Sequence, residues 1–450
     1  MTRVLILTGD PIGERMAGPA IRAWNIAITL QADGHEVRLV TTTRAEREDA
    51  PFMLAAVAPG DEAGIRAHER WADVILFQGY GLNQFATIRR TDRFLVADVY
   101  DPMHLEMLEQ GRELPAATWS LRVANARDAL DDQLRRADFV LCASERQRLF
   151  YLGHLAALGR INPATYGDDP DLRALLDLMP FGLDAEPPTP GTALRGVAPG
   201  FDADSQILIW GGGLYSWFDP LALIRAVAEA RAAHPNLRLF FLGTRHPGVD
   251  EMGIVREAFD LARELGVEGS QVVFNDTWVP YADRGAYLSD ANAGVSTHHV
   301  HLETTFAFRT RILDYLWAGL PMVVTEGDSF ADLVREEALG VVVPGGDVPA
   351  LVAAFAEVLD PARAAVYRAN VARVRARFAW PVVLAPLRAF VAAPYHAADY
   401  LPGRDAMGAG SGRRARRLSG PGHDLRMALH HLRHSGLRDV VRRARRRVLP

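Results

Sequence analysis

No lysine occurs among the 450 residues, so all fifty Lys+Arg side chains are arginine. That absence excludes a Schiff-base mechanism and a Walker-type phosphate lysine. A phosphate clamp in this chain has only guanidinium groups and backbone N–H to draw on. Cysteine occurs once, as Cys142, which excludes an intrachain disulfide and a cysteine-based metal site. A reducing, cytoplasmic location is the resulting expectation. Long apolar runs are missing as well. The apolar run inside MTRVLILTGD is VLIL, within the six-residue segment VLILTG, too short for a signal-peptide core or a membrane span.

What is present is ordinary in bulk. Hydrophobic residues make up 49% and charged residues 23%, a globular composition, and the length suits two or three domains. The net charge of −5 conceals an asymmetry. From Arg404 to Pro450, thirteen Arg against three Asp give +10, so the other 403 residues carry −15. An acidic body with a basic end predicts that this end meets an anionic surface, membrane or polymer.

Apolar strands alternate with helical segments, the pattern of a parallel α/β sheet. VLILTG, EVRLVTT, DVILFQ, FLVADVY and DFVLCAS are the strands of a first domain, residues 1–185. Residues 186–204 are rich in proline, glycine and small side chains and read as a linker. Alternation restarts over 205–377 with QILIWGGG, LRLFFLG, QVVFND, AGVSTH, PMVVTE and LGVVVPG. Asp219 followed by Pro220 is a helix-start signal. Residues 378–393 read as a closing helix of the folded body. Residues 394–450 read as a flexible basic tail, with Leu425, Leu429, Leu432, Leu437 and Val441 at helical spacing between arginines. Such a helix suits an anionic membrane surface. Ligands of two such domains bind at the carboxyl ends of the strands, so the site is expected in a cleft between them.

The stretch ETTFAFRTRILDYLWAGLP, Glu303 to Pro321, concentrates the chemistry. It reads as one short helix with Glu303, Arg309, Arg311 and Asp314 near its start, stopped by Gly319 and Pro321. Guanidinium groups beside a helix N-terminus suit a diphosphate. Asp314, one turn on, is suited to ribose hydroxyls. Gly211, Gly212 and Gly213 end a strand just before a helix, where backbone can approach a phosphate or sugar. A first glycine-bearing loop carries Gly13 and Gly18 and leads to Arg22 on a helix. It suits phosphate or the border of an acceptor site. VADVYDPMHLE sets Tyr100, Asp101 and His104 just after a strand. His298, His299 and His301 near Glu303 do not make a metal site, because an extended loop needs a further ligand cluster. The DAD at Asp202 to Asp204 reads as solvated charge in the linker.

The order of these parts resembles a family 4 glycosyltransferase, a retaining enzyme of GT-B fold, over residues 3–393. Gly18-Pro19-Ala20-Ile21-Arg22 is similar to the family's N-terminal loop and helix opening. MPFGLD is similar to its "PNGVD" turn. GGGLYSWFDP stands where the family has "GRLxxxKG". Glu303 to Pro321 resembles "E-x7-E…AxGxPV", although ten residues separate Glu303 from Asp314 and the second acid is Asp. Tyr100 stands where the family has its cleft histidine. These departures mark a divergent branch.

The resemblance implies a fold of two Rossmann-like parallel-sheet domains facing a cleft, plus the basic tail. It implies transfer of a sugar from a nucleotide-diphosphate donor to a glycan, a lipid-linked or a small-molecule acceptor. No metal or other cofactor is expected, the nucleotide-sugar being the donor substrate. On this reading Arg309 and Arg311 neutralise the diphosphate, Asp314 holds ribose, and Glu303 holds sugar hydroxyls. Trp278 and Val279 in NDTWVP face the base, and Asp101 and His104 border the anomeric carbon and acceptor. The alternatives are a sugar-nucleotide epimerase on the same fold and a non-catalytic sugar-binding scaffold. A pyridoxal-phosphate phosphorylase is excluded by the lack of lysine. Nucleic acid is not an expected partner, because the basic residues are confined to the tail without interleaved aromatics.

Overall fold

The computed structural model describes residues 1–401 except 15, 245–251, 277–278 and 281. Two compact units are present. The first comprises residues up to Cys142, Arg148–Leu178 and the chain from Pro386; the second comprises Ala143–Gln147 and Met179–Ala385.

The first unit is built on a seven-stranded sheet. Its strands are β1 (Arg3–Thr8), β2 (Glu36–Thr41), β3 (Met53–Ala56), β4 (Val74–Gln78), β5 (Phe94–Asp98), β6 (Phe139–Cys142) and β7 (Leu176–Leu178). Their order is β3-β2-β1-β4-β5-β6-β7, and every pairing is parallel. The near-continuous Val/Ile/Leu composition of β1, β4 and β5 follows from burial on both faces. Leu5, Leu7, Ile75, Phe77 and Ala97 form one such buried face.

The second unit has six strands, β8 (Gln206–Trp210), β9 (Leu237–Phe241), β10 (Val272–Phe274), β11 (Ala293–Ser296), β12 (Met322–Thr325) and β13 (Gly340–Val343). They run β10-β9-β8-β11-β12-β13, again all parallel. Its core gathers Leu208, Trp210, Leu223, Leu239, Phe241, Val295 and Phe355. The two Rossmann-like sheets expected from the alternation are therefore present. In each sheet the strand order reverses once, between β1 and β4 and between β8 and β11. Those crevices at the carboxyl ends are where α/β sheets bind ligands.

Two strands escape a sequence reading. β3 is a four-residue edge strand with half-exposed side chains, and β7 is three residues with Asp177 at its centre. β3 lies within the apolar stretch FMLAAVA, Phe52 to Ala58, whereas Asp177 interrupts the run of β7. Residues 186–204 are held by the second unit. Leu194 and Phe201 are buried, and Asp290 Oδ2 accepts the N–H groups of Ala193, Leu194 and Arg195 at 2.9, 2.7 and 3.2 Å. Residues 378–393 include two short helices, Trp380–Val383 and Ala385–Ala392, and the break lies just ahead of Pro386, whose nitrogen cannot donate. Residues 394–401, expected to open the tail, are tied into the first unit. Arg160 Nε donates to Asp399 Oδ2 at 2.8 Å, and Tyr395 Oη donates to Ala174 O at 2.8 Å. The rest of the tail lies outside the described residues. No helix among the described residues is long and apolar enough to cross a membrane.

Candidate active site

The crevice of the second sheet is lined by the loops that leave β8 and β11. After Trp210 the chain runs through Gly211, Gly212 and Gly213. Gly212 has φ +83°, a left-handed conformation that glycine alone adopts readily. The β8 and β11 loops are stapled together. Phe218 and His298 form an antiparallel bridge. Asp219 N donates to Thr297 O at 3.0 Å, and His299 N to Trp217 O at 3.2 Å. Thr297 Oγ1 donates back to Asp219 O at 2.6 Å. Asp219 also caps the helix Pro220–Ala230, accepting from Ala222 N at 2.9 Å, as its position before Pro220 predicts.

The stretch from Glu303 corrects one expectation. It is two helices, Leu302–Phe306 and Thr310–Trp317, with a turn at Ala307 to Arg309. Phe306 O, which would continue the first helix, instead accepts from Gln147 Nε2 at 2.8 Å. Phe308 turns to the Phe330 ring, with centroids 4.5 Å apart. The break lets Arg309 fold back on Glu303. Arg309 Nη1 donates to Oε1 at 2.9 Å and Nη2 to Oε2 at 2.6 Å, and both residues are buried.

Arg311 is different. It is 8% exposed, yet no carboxylate pairs with it among the described residues. Its guanidinium lies 4.3 Å from the Trp210 ring centroid and 3.9 Å from that of Phe218. Nη2 donates to Gly213 O at 3.1 Å. Nη1 is buried with no hydrogen-bond partner. Burial, abetted by the neighbouring Arg309 charge, pulls its pKa down to about 10, so it stays cationic at neutral pH. A buried cation whose direct contacts among the described residues are ring faces and a carbonyl is costly unless an anion joins it. Tyr315, one turn on, locks the glycine loop to the sheet: Gly211 N donates to its Oη at 2.9 Å, and that Oη donates to Val295 O at 2.8 Å. A Cβ at Gly294 would run into the Tyr315 ring, so β11 needs glycine there.

Asp314 lies on the same helix with its side chain 31% exposed. Its Oδ1 accepts from Arg284 Nε at 3.0 Å. Two further buried groups flank Arg309. Burial pushes the Asp328 carboxyl up to about 6 while its Oδ1 caps Ala331 N at 2.7 Å. Burial, then the Arg309 charge, lowers His298 to about 3, leaving a neutral ring with Nε2 3.2 Å from Glu326 O. Val279 is half-buried in the loop after β10. Trp278 lies outside the described residues.

In the first unit the candidates fare unequally. Arg22 is engaged inside the first unit. It is wholly buried, and its Nε and Nη2 donate to Asp98 Oδ2 and Oδ1 at 2.8 and 2.7 Å. Asp98 also accepts from Gln78 Nε2 at 2.9 Å, so the charge is matched inside the domain. Gly13 sits in a loop pinned by the Ile12–Ala45 bridge, and a Cβ there would come within 3.0 Å of Glu46 Oε2. A neighbouring carboxylate disfavours phosphate at that point. Gly18 opens the helix Gly18–Ala32. Asp101 is half-buried beside Tyr100, whose hydroxyl is raised well above its usual range by burial and then by Asp101 and Asp98. His104, on the helix Met103–Gln110, stacks on Phe150 at 5.6 Å and meets His154 edge-on at 6.4 Å. Burial, then His154, lowers it to about 4, so it is neutral at pH 7.

The structure thus brings Gly211–Gly213, Glu303, Arg309 and Arg311 together in the second unit, with Asp314 on the helix of Arg311. Asp101 and His104 belong to the first unit. Asp98, Arg284, Tyr315 and Asp328 were not singled out from sequence. Asp98 carried a weak signal, an acid ending an apolar strand; the others carried none. No group of three or more His, Cys, Asp or Glu side chains among the described residues is placed to hold a metal ion.

With this geometry in view, comparison with known proteins is decisive for the second unit. Residues 205–361 match the family described as glycosyl transferases group 1. The C-terminal domain is a glycosyltransferase domain. A D-inositol 3-phosphate glycosyltransferase of Thermobispora bispora is 29% identical over 203 residues. That match covers 44% of this chain and 46% of the relative, so it spans about half the relative's length. Sucrose-phosphate synthase of Thermosynechococcus elongatus aligns with 86% of this chain and 97% of its own at 17% identity, with a TM-score of 0.60. Anabaena HepE, solved with UDP and glucose, aligns with 87% of this chain and all of its own at 16% identity, with a TM-score of 0.66. At such identities these likenesses show the fold, GT-B.

Proposed function

We propose that this chain transfers a sugar from a nucleoside-diphosphate donor, held by the C-terminal domain, to a hydroxyl acceptor with retention and without a metal ion. One observation carries the reading: Arg311 is a buried guanidinium that pairs with no carboxylate among the described residues, fastened to the glycine loop at the switch point of the sheet. A diphosphate there would complete its charge and meet its unused Nη1. Arg309 holds Glu303 by one edge, and the remaining lone pairs of Glu303 can accept sugar hydroxyls. Asp314 would accept from ribose, and Asp101 and His104 would border the acceptor. A fixed cation at the leaving diphosphate stabilises charge as it develops.

Anabaena HepE has been solved with UDP-glucose, which makes UDP the first probe. Bound ligand raises the melting temperature. A screen of UDP, GDP, ADP and dTDP with their glucose conjugates should show one nucleotide series that stabilises the protein and a conjugate that is slowly hydrolysed. Stabilisation by none overturns the reading. Binding without hydrolysis or transfer makes the chain a sugar-binding scaffold. Loss of turnover on exhaustive chelation, restored by manganese or magnesium, refutes the metal-free part. The arginines beyond residue 401 would meet an anionic surface near a lipid-linked acceptor. Deleting Met407–Pro450 should then abolish sedimentation with anionic liposomes at low salt, and unchanged sedimentation counts against it.

A further inference from the structure

We infer that Arg284 is a positioning residue that orients Asp314 toward the ribose diol of the donor; this rests on the ribose role proposed for Asp314. An aspartate is one methylene shorter than the glutamate of the family pattern, so its carboxylate has less reach and depends more on how it is held. Arg284 opens the helix Arg284–Asp290 and is 9% exposed. Its Nε donates to Asp314 Oδ1 at 3.0 Å, and its Nη2 lies 3.9 Å from Asp184 Oδ2. The central guanidinium carbon lies over Trp317, 4.3 Å from the ring centroid.

That ring is itself fixed. Trp317 Nε1 donates to Glu186 O at 2.6 Å, and a Cβ at Gly285 would lie 3.3 Å from Cη2 of the ring. The far end of the Arg284 helix is anchored through Asp290, which accepts the three N–H groups of residues 193–195. A cation held over a fixed ring on an anchored helix therefore grips one oxygen of Asp314. The other oxygen, Oδ2, makes no hydrogen bond among the described residues, and the side chain is partly exposed. One edge is fixed and one is presented, which suits a vicinal diol. A supporting group of this kind sets the geometry of the residue that touches ligand.

The test compares UDP, GDP and ADP with their 2′,3′-dideoxy analogues by calorimetry. Arg284→Met keeps the apolar stem on Trp317 and removes the donor. It should weaken the diphosphate that binds by about tenfold and leave its dideoxy analogue unchanged. Asp314→Asn should show the same pattern, and the double variant should be no weaker than Asp314→Asn alone, since coupled residues are not additive. Arg284→Lys, which keeps charge without the planar fork, should recover part of the loss. If Arg284→Met unfolds, the Arg284→Lys comparison decides, because its deficit must also vanish with the dideoxy analogue. Equal loss for both ligands overturns the inference, as a purely structural role would give it. Full affinity in Asp314→Asn, or no binding by any of the three diphosphates, overturns instead the functional reading beneath it.

Discussion

Arg309 and Glu303 close a bidentate ion pair across a helix break, with Nη1–Oε1 at 2.9 Å and Nη2–Oε2 at 2.6 Å. Their side chains are 6% and 9% exposed, so neither charge is stabilised by bulk water. Removing one partner strands the other. Arg309→Ala should therefore destabilise the C-terminal domain by about 3 kcal/mol, whereas Arg309→Met with Glu303→Leu should cost clearly less. Urea denaturation of the full chain reads both. A double variant as unstable as the single one would mean that shape, not charge, holds this turn.

Arg311 should behave oppositely in the absence of ligand. Arg311→Met removes a buried charge that pairs with no carboxylate among the described residues, so the melting temperature of the free protein should stay level or rise. Affinity for the bound nucleoside diphosphate should fall by about 2 kcal/mol through loss of charge-assisted hydrogen bonds. Calorimetry and a melting curve on the same variant test the pair of outcomes. Unchanged affinity removes Arg311 from the diphosphate site.

Arg22 gives the contrasting case. Arg22→Met leaves Asp98 buried with the Gln78 amide but without its counter-charge, at a cost of about 3 kcal/mol to the first unit. Affinity for the nucleoside diphosphate, measured below the melting transition, should not change. A specific loss of affinity in a stable variant would return Arg22 to the list of ligands.

Asp328 supplies a pH dependence whose sign is fixed by its environment. Burial raises the native carboxyl to about 6 from 3.8, so between those values the native state holds a proton that the unfolded chain has released. The associated stability is complete below about pH 4 and is lost as pH rises through about 6, roughly 3 kcal/mol in all. Asp328→Asn keeps an acceptor for Ala331 N and removes the titration. Relative to the parent, this variant should gain stability between about pH 4 and pH 7 by an amount of that order. Parallel stability curves for the two proteins would refute the assignment.

The regular part of the fold was readable because its signal is local. Apolar runs such as VLIL and ILIW, spaced by helical segments and closed by glycine, specify buried parallel strands wherever they occur. β7 was missed because Asp177 interrupts its apolar run, and β3 because its short alanine-bearing stretch, Phe52 to Ala58, suits a helix as well as a strand. The helix break at Ala307 was missed for a different reason. Residues 303 to 317 contain no proline or glycine, and what ends the first helix is Gln147, which lies 159 positions earlier and takes the Phe306 carbonyl. Likewise, the hold of Arg284 on Asp314 and of Tyr315 on Gly211 joins residues 30 and 104 positions apart. No spacing rule reaches across such intervals.

The sequence by itself determined that any side-chain cation offered to a phosphate is arginine or histidine, since lysine is absent. It also placed Gly211, Glu303, Arg311 and Asp314 at strand and helix ends, because propensity and apolar period act over a few residues. Only the tertiary structure decided which arginine is spent. Arg22 meets Asp98 across 76 positions, Arg309 turns back to Glu303, and among the described residues Arg311 meets Trp210, Phe218 and a carbonyl but no carboxylate hydrogen bond. A charge is available to a ligand when folding leaves it without a partner, and in this protein that outcome is set by long-range contacts.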